Sequence, residues 1–278
     1  MTSTFSLNKA RHILKRLLPN GYIYQLQQRR LEKLIAAFPR RVVEHNYSGH
    51  RLKVLIADNL AEGWYDRDNP LDKEIEFLRT ARLRRGARVF DLGAHQAVFA
   101  MILASEVGDE GLVIAVEGNA HNAAVARTNV ELNNFSNIKI IHAVLTDQAG
   151  KDVLFQESLN GQVSTNSCVG RKIASTTIDE LATTFGPPDV VVIDVEGYEA
   201  IVMKGGEKTL RSTADWMVEV HVGCGLEKFG NVGEILHFFP NDRFELFIAA
   251  GESQRFEYFK HGATPPHGKF FLAARPVQ

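Results

Sequence analysis

The chain has 278 residues, 45% hydrophobic and 23% charged, with a net charge of −1, as in a water-soluble globular protein with room for one large domain or a domain plus an appendage. Cys168 and Cys224 are too few and too isolated for a zinc cluster or a disulfide framework, and free thiols in a reducing compartment are expected. No run approaches the roughly 18 apolar residues of a spanning helix and no secretory leader is evident, so the expected location is cytoplasmic.

Residues 1–41 hold nine Lys and Arg against Glu32 alone, a net of +8 that leaves −9 for the remainder. Ala10, Ile13, Leu14, Leu17 and Leu18 recur at helical spacing, Pro19-Asn20-Gly21 interrupts, and Leu31, Leu34, Ile35 and Phe38 resume. Two packed helices with a solvated cationic face are expected, in preference to docking on an anionic membrane. Residues 42–47 and 51–57, either side of Ser48-Gly49, predict a hairpin. These segments form an appendage over residues 1–68, ahead of a main domain over 69–278.

Asn69-Pro70 with Asp72 opens a helix, and Arg84-Arg85-Gly86 closes it near residue 85. The pattern then alternates: strand 88–92, helix 95–107, strand 112–117, helix 119–133, strand 138–145, and later strand 189–194 and helix 198–204. Such alternation predicts a parallel sheet covered by helices, with the unbroken apolar run Val190–Ile193 as a central strand buried on both faces. The rhythm lapses over 146–176, where the polar stretch 157–172 is a candidate substrate-side loop. Thr177-Ile-Asp-Glu180 restarts a helix with a capping box. Strands at 214–221, 244–249 and 269–274 follow, the last two pairing antiparallel at the sheet edge.

Ligands of open parallel sheets sit beyond the carboxyl ends of the strands. There the sequence places Asp91-Leu-Gly93, Glu117-Gly118, Asp194-Val-Glu196-Gly197 and Glu219-Val-His221. Glu117 follows Asp91 by 26 residues, where an acid accepts both hydroxyls of a ribose. The turn Gly93-Ala-His-Gln-Ala97 has one glycine and lacks the Gly-x-Gly-x-x-Gly of a dinucleotide site. An acid before it repels a pyrophosphate and attracts an ammonium or sulfonium. The turn therefore favours S-adenosylmethionine over NAD.

These motifs, together with Thr177-Ile-Asp179-Glu-Leu181, Ile193-Asp194-Val-Glu196-Gly197-Tyr198-Glu199 and Gly205-Gly206, resemble those of FkbM-family methyltransferases, from about Leu71 to His221. The resemblance implies a class I methyltransferase fold: an α/β, Rossmann-like, mostly parallel seven-stranded sheet with an antiparallel last strand. It also implies S-adenosylmethionine as cofactor and O-methylation, often of sugar or polyketide hydroxyls. Two departures stand out. The family's usual Asn and Gly in the first turn are His95 and Ala97 here, and its usual Glu-Pro-Asn-Pro is Glu117-Gly118-Asn119-Ala120.

The expected cofactor-binding residues are Asp91, Gly93, Ala94, His95 (through its backbone N–H), Glu117, Gly118, Asn119 and Ala143. Methyl transfer to an alcohol needs an in-line nucleophile and a base, and the candidates are Asp194, Glu196, Glu199 and His221, with His221 the one that ordinarily titrates near neutrality. The same acids can hold a divalent cation. The preferred reading is that Asp194 and Glu196 cap the next helix, so no metal ligand is assigned. The expected partner is a small-molecule or glycan acceptor and not a nucleic acid. The competing reading is a non-catalytic adenosine-ligand-binding module that retains the fold.

Overall fold

The computed structural model describes residues 20–69, 73–164, 169–251 and 255–277. The first expected helix, at Ala10–Leu18, lies outside them. Helix α1 (Asn20–Ala37) includes the second. It turns Ile23, Tyr24, Leu31 and Ile35 partly inward and leaves Leu34 59% exposed. Gln28 Nε2 donates to the Glu157 carbonyl at 2.6 Å, tying the helix to the segment around residue 157. Among the described residues no helix is long and apolar enough to cross a membrane.

The hairpin forms as β1 (Arg41–Tyr47) and β2 (His50–Ile56), with Ser48 and Gly49 both at positive φ in the tight turn. Helix α2 (Asn59–Tyr65) follows, capped by Asp58, whose carboxylate accepts the Leu60 and Ala61 N–H groups. The same carboxylate accepts Gln96 Nε2 at 2.7 Å and contacts His121 Nε2 at 2.8 Å. Among the described residues helix α3 covers Lys73–Arg79 and stops well short of residue 85; residues 70–72, where it was expected to open, lie outside them. The Phe77 carbonyl is taken by the Thr80 hydroxyl and the Arg275 guanidinium, and Leu83 N–H closes back on Leu78 O, so the chain turns to bury Leu83.

The main sheet is built from β3 (Arg88–Leu92), β4 (Leu112–Glu117), β5 (Ile138–His142), β10 (Val190–Ile193), β11 (Asp215–Val220), β12 (Phe244–Ala250), β13 (Glu257–Phe259) and β14 (Phe270–Pro276). Its order is β13-β12-β14-β11-β10-β3-β4-β5. The central strands β11, β10, β3, β4 and β5 are parallel, and β14 enters antiparallel between β11 and β12. The seven expected strands are present with one reversed. An eighth, β13, adds an antiparallel edge.

Alternate residues of the central strands supply the two faces, as a doubly covered sheet requires. Val89, Val113, Val190, Val192 and Met217 share one core with α4 (Val98–Val107) and with Tyr47, Val54 and Ile56 of the hairpin. Phe90, Leu92, Ile114, Val116, Val191, Ile193 and Trp216 join the other, with α6 (Ile178–Phe185) and α7 (Glu199–Lys204).

The expected strand 138–145 breaks at Ala143. Its second part, β6 (Val144–Leu145), leaves the main sheet and pairs with β9 (Arg171–Thr176). With β7 (Asp152–Gln156) and β8 (Gln162–Val163) these form a four-stranded second sheet, of which β8 and the first two residues of β9 fall in the polar stretch read as a loop. The capping box at Thr177 is half formed. The Thr177 hydroxyl accepts the Glu180 N–H, but the Glu180 carboxylate accepts the Thr176 hydroxyl instead of reaching back to the Thr177 N–H.

Candidate functional site

The carboxyl ends of β3, β4, β10 and β11 converge on two adjoining clefts that share Trp64, Gly93, His95 and Asp194. The first, about 650 Å³, runs along Glu117 and Gly118 between Val116, Ala143, Val144, Leu145 and Phe155. The second, about 930 Å³, lies along Asp91, Ala94, Phe99, Met217, Glu219 and Phe271. Asn160 to Val163, part of the polar stretch, line the first cleft and not the second.

Glu117 ends β4 with only 5% exposure. Its Oε2 accepts the His95 N–H at 2.8 Å, and its Oε1 accepts the Asn119 N–H at 2.6 Å. The His95 N–H is therefore committed to Glu117 and does not face a ligand, contrary to the sequence-based expectation. The His95 ring faces the cleft instead, with Tyr65 Oη 2.9 Å from its Nδ1 and the Trp64 ring centroid 5.1 Å away. Asn119 lines neither cleft; it is the N-cap of α5 (Ala120–Leu132), accepting the His121 and Asn122 N–H groups. His95 (φ 48) and Ala97 (φ 63) both adopt left-handed backbone. The Asn and Gly usual at these places suit that conformation better, and each substitution costs of order 1–2 kcal/mol in strain.

Burial pushes the Asp91 carboxyl up to about 7. Burial likewise raises Glu117 to about 8, against the two N–H groups that favour its ionised form. Burial lowers His95 to about 4, so its ring is neutral at physiological pH.

At the junction Asp194 is the exposed member, with 47% of its side chain in contact with solvent. Glu196, at φ 51, accepts Asn160 Nδ2. Neither caps α7: its N-cap is Tyr198, without a side-chain bond, and Glu199 accepts the Gly197 N–H at 2.8 Å. The backbone turns after Ile193, with Glu196 in the left-handed region, and Asp194 and Glu196 each come within 3.6 Å of His221 Nε2. Glu199 is wholly buried and sits 2.7 Å from His221 Nδ1, with His221 itself only 1% exposed. Neither lines either cleft; His221 Nε2 lies behind Asp194 and Glu196, 3.6 Å from each. Burial works to lower the His221 pKa, but Glu199, Glu219 and Glu196 outweigh it and hold it above the ordinary value.

Three residues, Lys269, Trp64 and Tyr65, escaped the sequence reading, and Glu219 was placed at a strand end without a role. Glu219, one strand residue before Val220, lines the second cleft, and Lys269 Nζ lies 2.6 Å from its Oε1. Because β14 runs antiparallel, the residue preceding it falls at the carboxyl edge of the parallel strands. That reversal was the available signal for Lys269. Trp64 and Tyr65 come from α2 and roof the turn after β3.

The FkbM methyltransferase domain matches residues 91–246, more than half of the chain. The chain belongs to the FkbM methyltransferase family. Its fold is that of class I methyltransferases, with S-adenosylmethionine as methyl donor. Similar solved structures include the FkbM methyltransferase of Methylobacillus flagellatus KT, at 13% identity over 68% of this chain and 43% of that one, with a TM-score of 0.44. A SAM-dependent O-methyltransferase of Thermotoga maritima shares 13% identity over 89% and 81% of the two chains, with a TM-score of 0.46. The precorrin-6y C5,15-methyltransferase of Geobacter metallireducens GS-15 shares 14% over 74% and 88%, also at 0.46. No curated protein matches.

The residues present fit this donor. Asp91 Oδ2 is buried without a hydrogen-bond partner among the described residues, at a wall of the second cleft where a cationic group would satisfy it. Each Glu117 oxygen keeps a lone pair free for a ribose hydroxyl. The Val116–Ala143–Leu145–Phe155 walls offer an apolar slot for a flat base. A pH dependence follows. Donor binding requires Asp91 and Glu117 as carboxylates, and both are protonated in the free protein well below about 7 and 8. Affinity should therefore rise with pH, by up to about tenfold per unit per carboxylate, and level off above pH 8. Calorimetry from pH 6 to 9 measures this; a flat or falling profile contradicts it.

Proposed function

We propose that the chain is an O-methyltransferase that moves the methyl group of S-adenosylmethionine onto a hydroxyl of a small polar acceptor, a sugar or secondary metabolite. The observation that carries this reading is the junction of the two clefts at Gly93 and Asp194, ringed by carboxylates. In this reading Glu117 accepts the ribose hydroxyls, Gly118 and Ala143 let the base approach, and Asp91 meets the cationic methionine end. Gly93 and Ala94 line the turn between them. When bound, the donor supplies an electrophilic methyl on a sulfonium.

The acceptor lies in the second cleft, where Phe99, Met217 and Phe271 flank its apolar faces and the acids accept its hydroxyls. Its reacting oxygen sits beside Asp194, and the hydroxyl proton passes into the Asp194–Glu196–Glu219 cluster as the C–O bond forms. The Glu199–His221 pair holds that cluster in place from behind. In this reading nucleophile and methyl are held side by side in the two lobes, and proximity of this kind is worth up to about 7–11 kcal/mol of a barrier.

Methyl-labelled donor incubated with a panel of glycans and small alcohols tests the reading. Acceptor-dependent S-adenosylhomocysteine, with label in an alkali-stable ether, is expected. Label on nitrogen or in an alkali-labile ester would overturn the hydroxyl assignment. Donor binding without any turnover across the panel would favour the non-catalytic module.

A further inference from the structure

Within the cluster one buried nitrogen has no partner. Glu199 Oε1 sits 2.7 Å from His221 Nδ1, the pairing seen in carboxylate–histidine–metal arrangements, in which the proton stays on Nδ1 and Nε2 is the atom offered to a cation. Nε2 is buried and makes no hydrogen bond among the described residues. It lies 3.6 Å from Asp194 Oδ1, 3.6 Å from Glu196 Oε2 and 3.9 Å from Glu219 Oε2. These separations are too long for hydrogen bonds, so the nitrogen stands unpartnered at the centre of three carboxylate side chains. Lys269 does not relieve this, because its ammonium sits on the other oxygen of Glu219, Oε1.

Ligand atoms of Asp194, Glu219 and His221 all lie within 4.8 Å of one another. Neighbouring donors around a cation bound at about 2.1 Å stand roughly 3 Å apart, a contraction within reach of the exposed Asp194 side chain. Three carboxyl groups face Nε2 and the one ammonium beside them, Lys269, sits on the far oxygen of Glu219, a crowding of acids that a cation relieves.

We propose that Asp194, Glu219 and His221 form a binding site for one divalent first-row transition cation, of the Mn²⁺ or Zn²⁺ type, which takes the acceptor hydroxyl at an open position. One imidazole among carboxylates suits such ions better than the all-oxygen preference of Ca²⁺ or Mg²⁺. The role given to the cation rests on the methyl-transfer reading. The cation lowers the pKa of the acceptor hydroxyl. The O–H bond breaks with its proton passing to Glu196 or water, and the freed oxygen pair forms the O–CH₃ bond. The S–CH₃ bond breaks with its electron pair remaining on sulfur, which gives neutral S-adenosylhomocysteine. Asp194 and Glu196 are then a ligand and its neighbour, in place of the helix caps the sequence suggested.

The test is Mn²⁺ binding to chelator-treated protein, read from the electron paramagnetic signal of free Mn²⁺ without donor or acceptor, so that failure of the methyl-transfer reading leaves it interpretable. One Mn²⁺ per chain is expected, weakened at least tenfold in Asp194→Asn and in Glu219→Gln, with Zn²⁺ competing. Asp194 is exposed, so its variant should keep the wild-type melting temperature and report binding alone. No saturation at millimolar Mn²⁺, or equal binding by both variants, overturns the site. Turnover with an identified acceptor that survives exhaustive chelation unchanged overturns its role.

Discussion

Replacing Glu117 with alanine is expected to weaken S-adenosylmethionine binding by at least a hundredfold. The carboxylate is buried at the end of β4 and held by the His95 and Asn119 N–H groups, so its free lone pairs are fixed in place before a ligand arrives. Two hydroxyl bonds to a charged acceptor are worth about 1.5–3 kcal/mol each, and about 1.4 kcal/mol is a factor of ten in affinity. The variant also strands two N–H groups, so its folded fraction should be checked by circular dichroism before equilibrium dialysis with labelled donor. Affinity within threefold of the parent would remove Glu117 from the donor site.

Gly93→Ala should be among the most damaging single-methyl changes in the chain. Gly93 has φ +97, and a Cβ there would stand 1.7 Å from the Asp194 carbonyl oxygen and 2.7 Å from its carbon. The obstacle is backbone at the end of β10, fixed by the Asp194 N–H bond to Leu92 O at 2.8 Å, so it cannot swing aside as a side chain would. Left-handed strain costs about 1–2 kcal/mol and overpacking about 1–3 kcal/mol more, with Asp194 displaced from the junction. Gly49→Ala is the control, since Gly49 has φ +92 with nothing within 4 Å of the added carbon. Denaturant unfolding should show Gly93→Ala costing clearly more than Gly49→Ala. Equal losses would mean that β3 and β10 do not meet as described.

The strand-end residues were legible because each reports on chemistry within a short stretch of chain. Val190–Ile193 announces a buried strand by composition alone, and Asp91, Glu117 and Asp194 then fall where parallel strands present ligands. The residues that were not legible come from far along the chain. Trp64 and Tyr65 reach the site because Asp58, at the start of their helix, is bonded to Gln96 and His121 of the main domain. Nothing local in the appendage reveals that tie. Lys269 depends on the reversal of β14, and the short α3 depends on Arg275, nearly two hundred residues away, taking its last carbonyl. The sequence also placed Glu199 and His221 among groups that touch substrate. Both are buried and line neither cleft, a depth that only the packing around β11 reveals.

The central claim is that this chain binds S-adenosylmethionine across the ends of β3 and β4 beside the Asp194 junction. Calorimetric titration of the intact protein with S-adenosylmethionine at pH 8, where Asp91 and Glu117 approach their ionised forms, tests it most directly. The account predicts saturable binding of one donor per chain, competed by S-adenosylhomocysteine and lost in Glu117→Ala. Absence of heat and of saturation at millimolar donor, or binding that Glu117→Ala leaves intact, would contradict it.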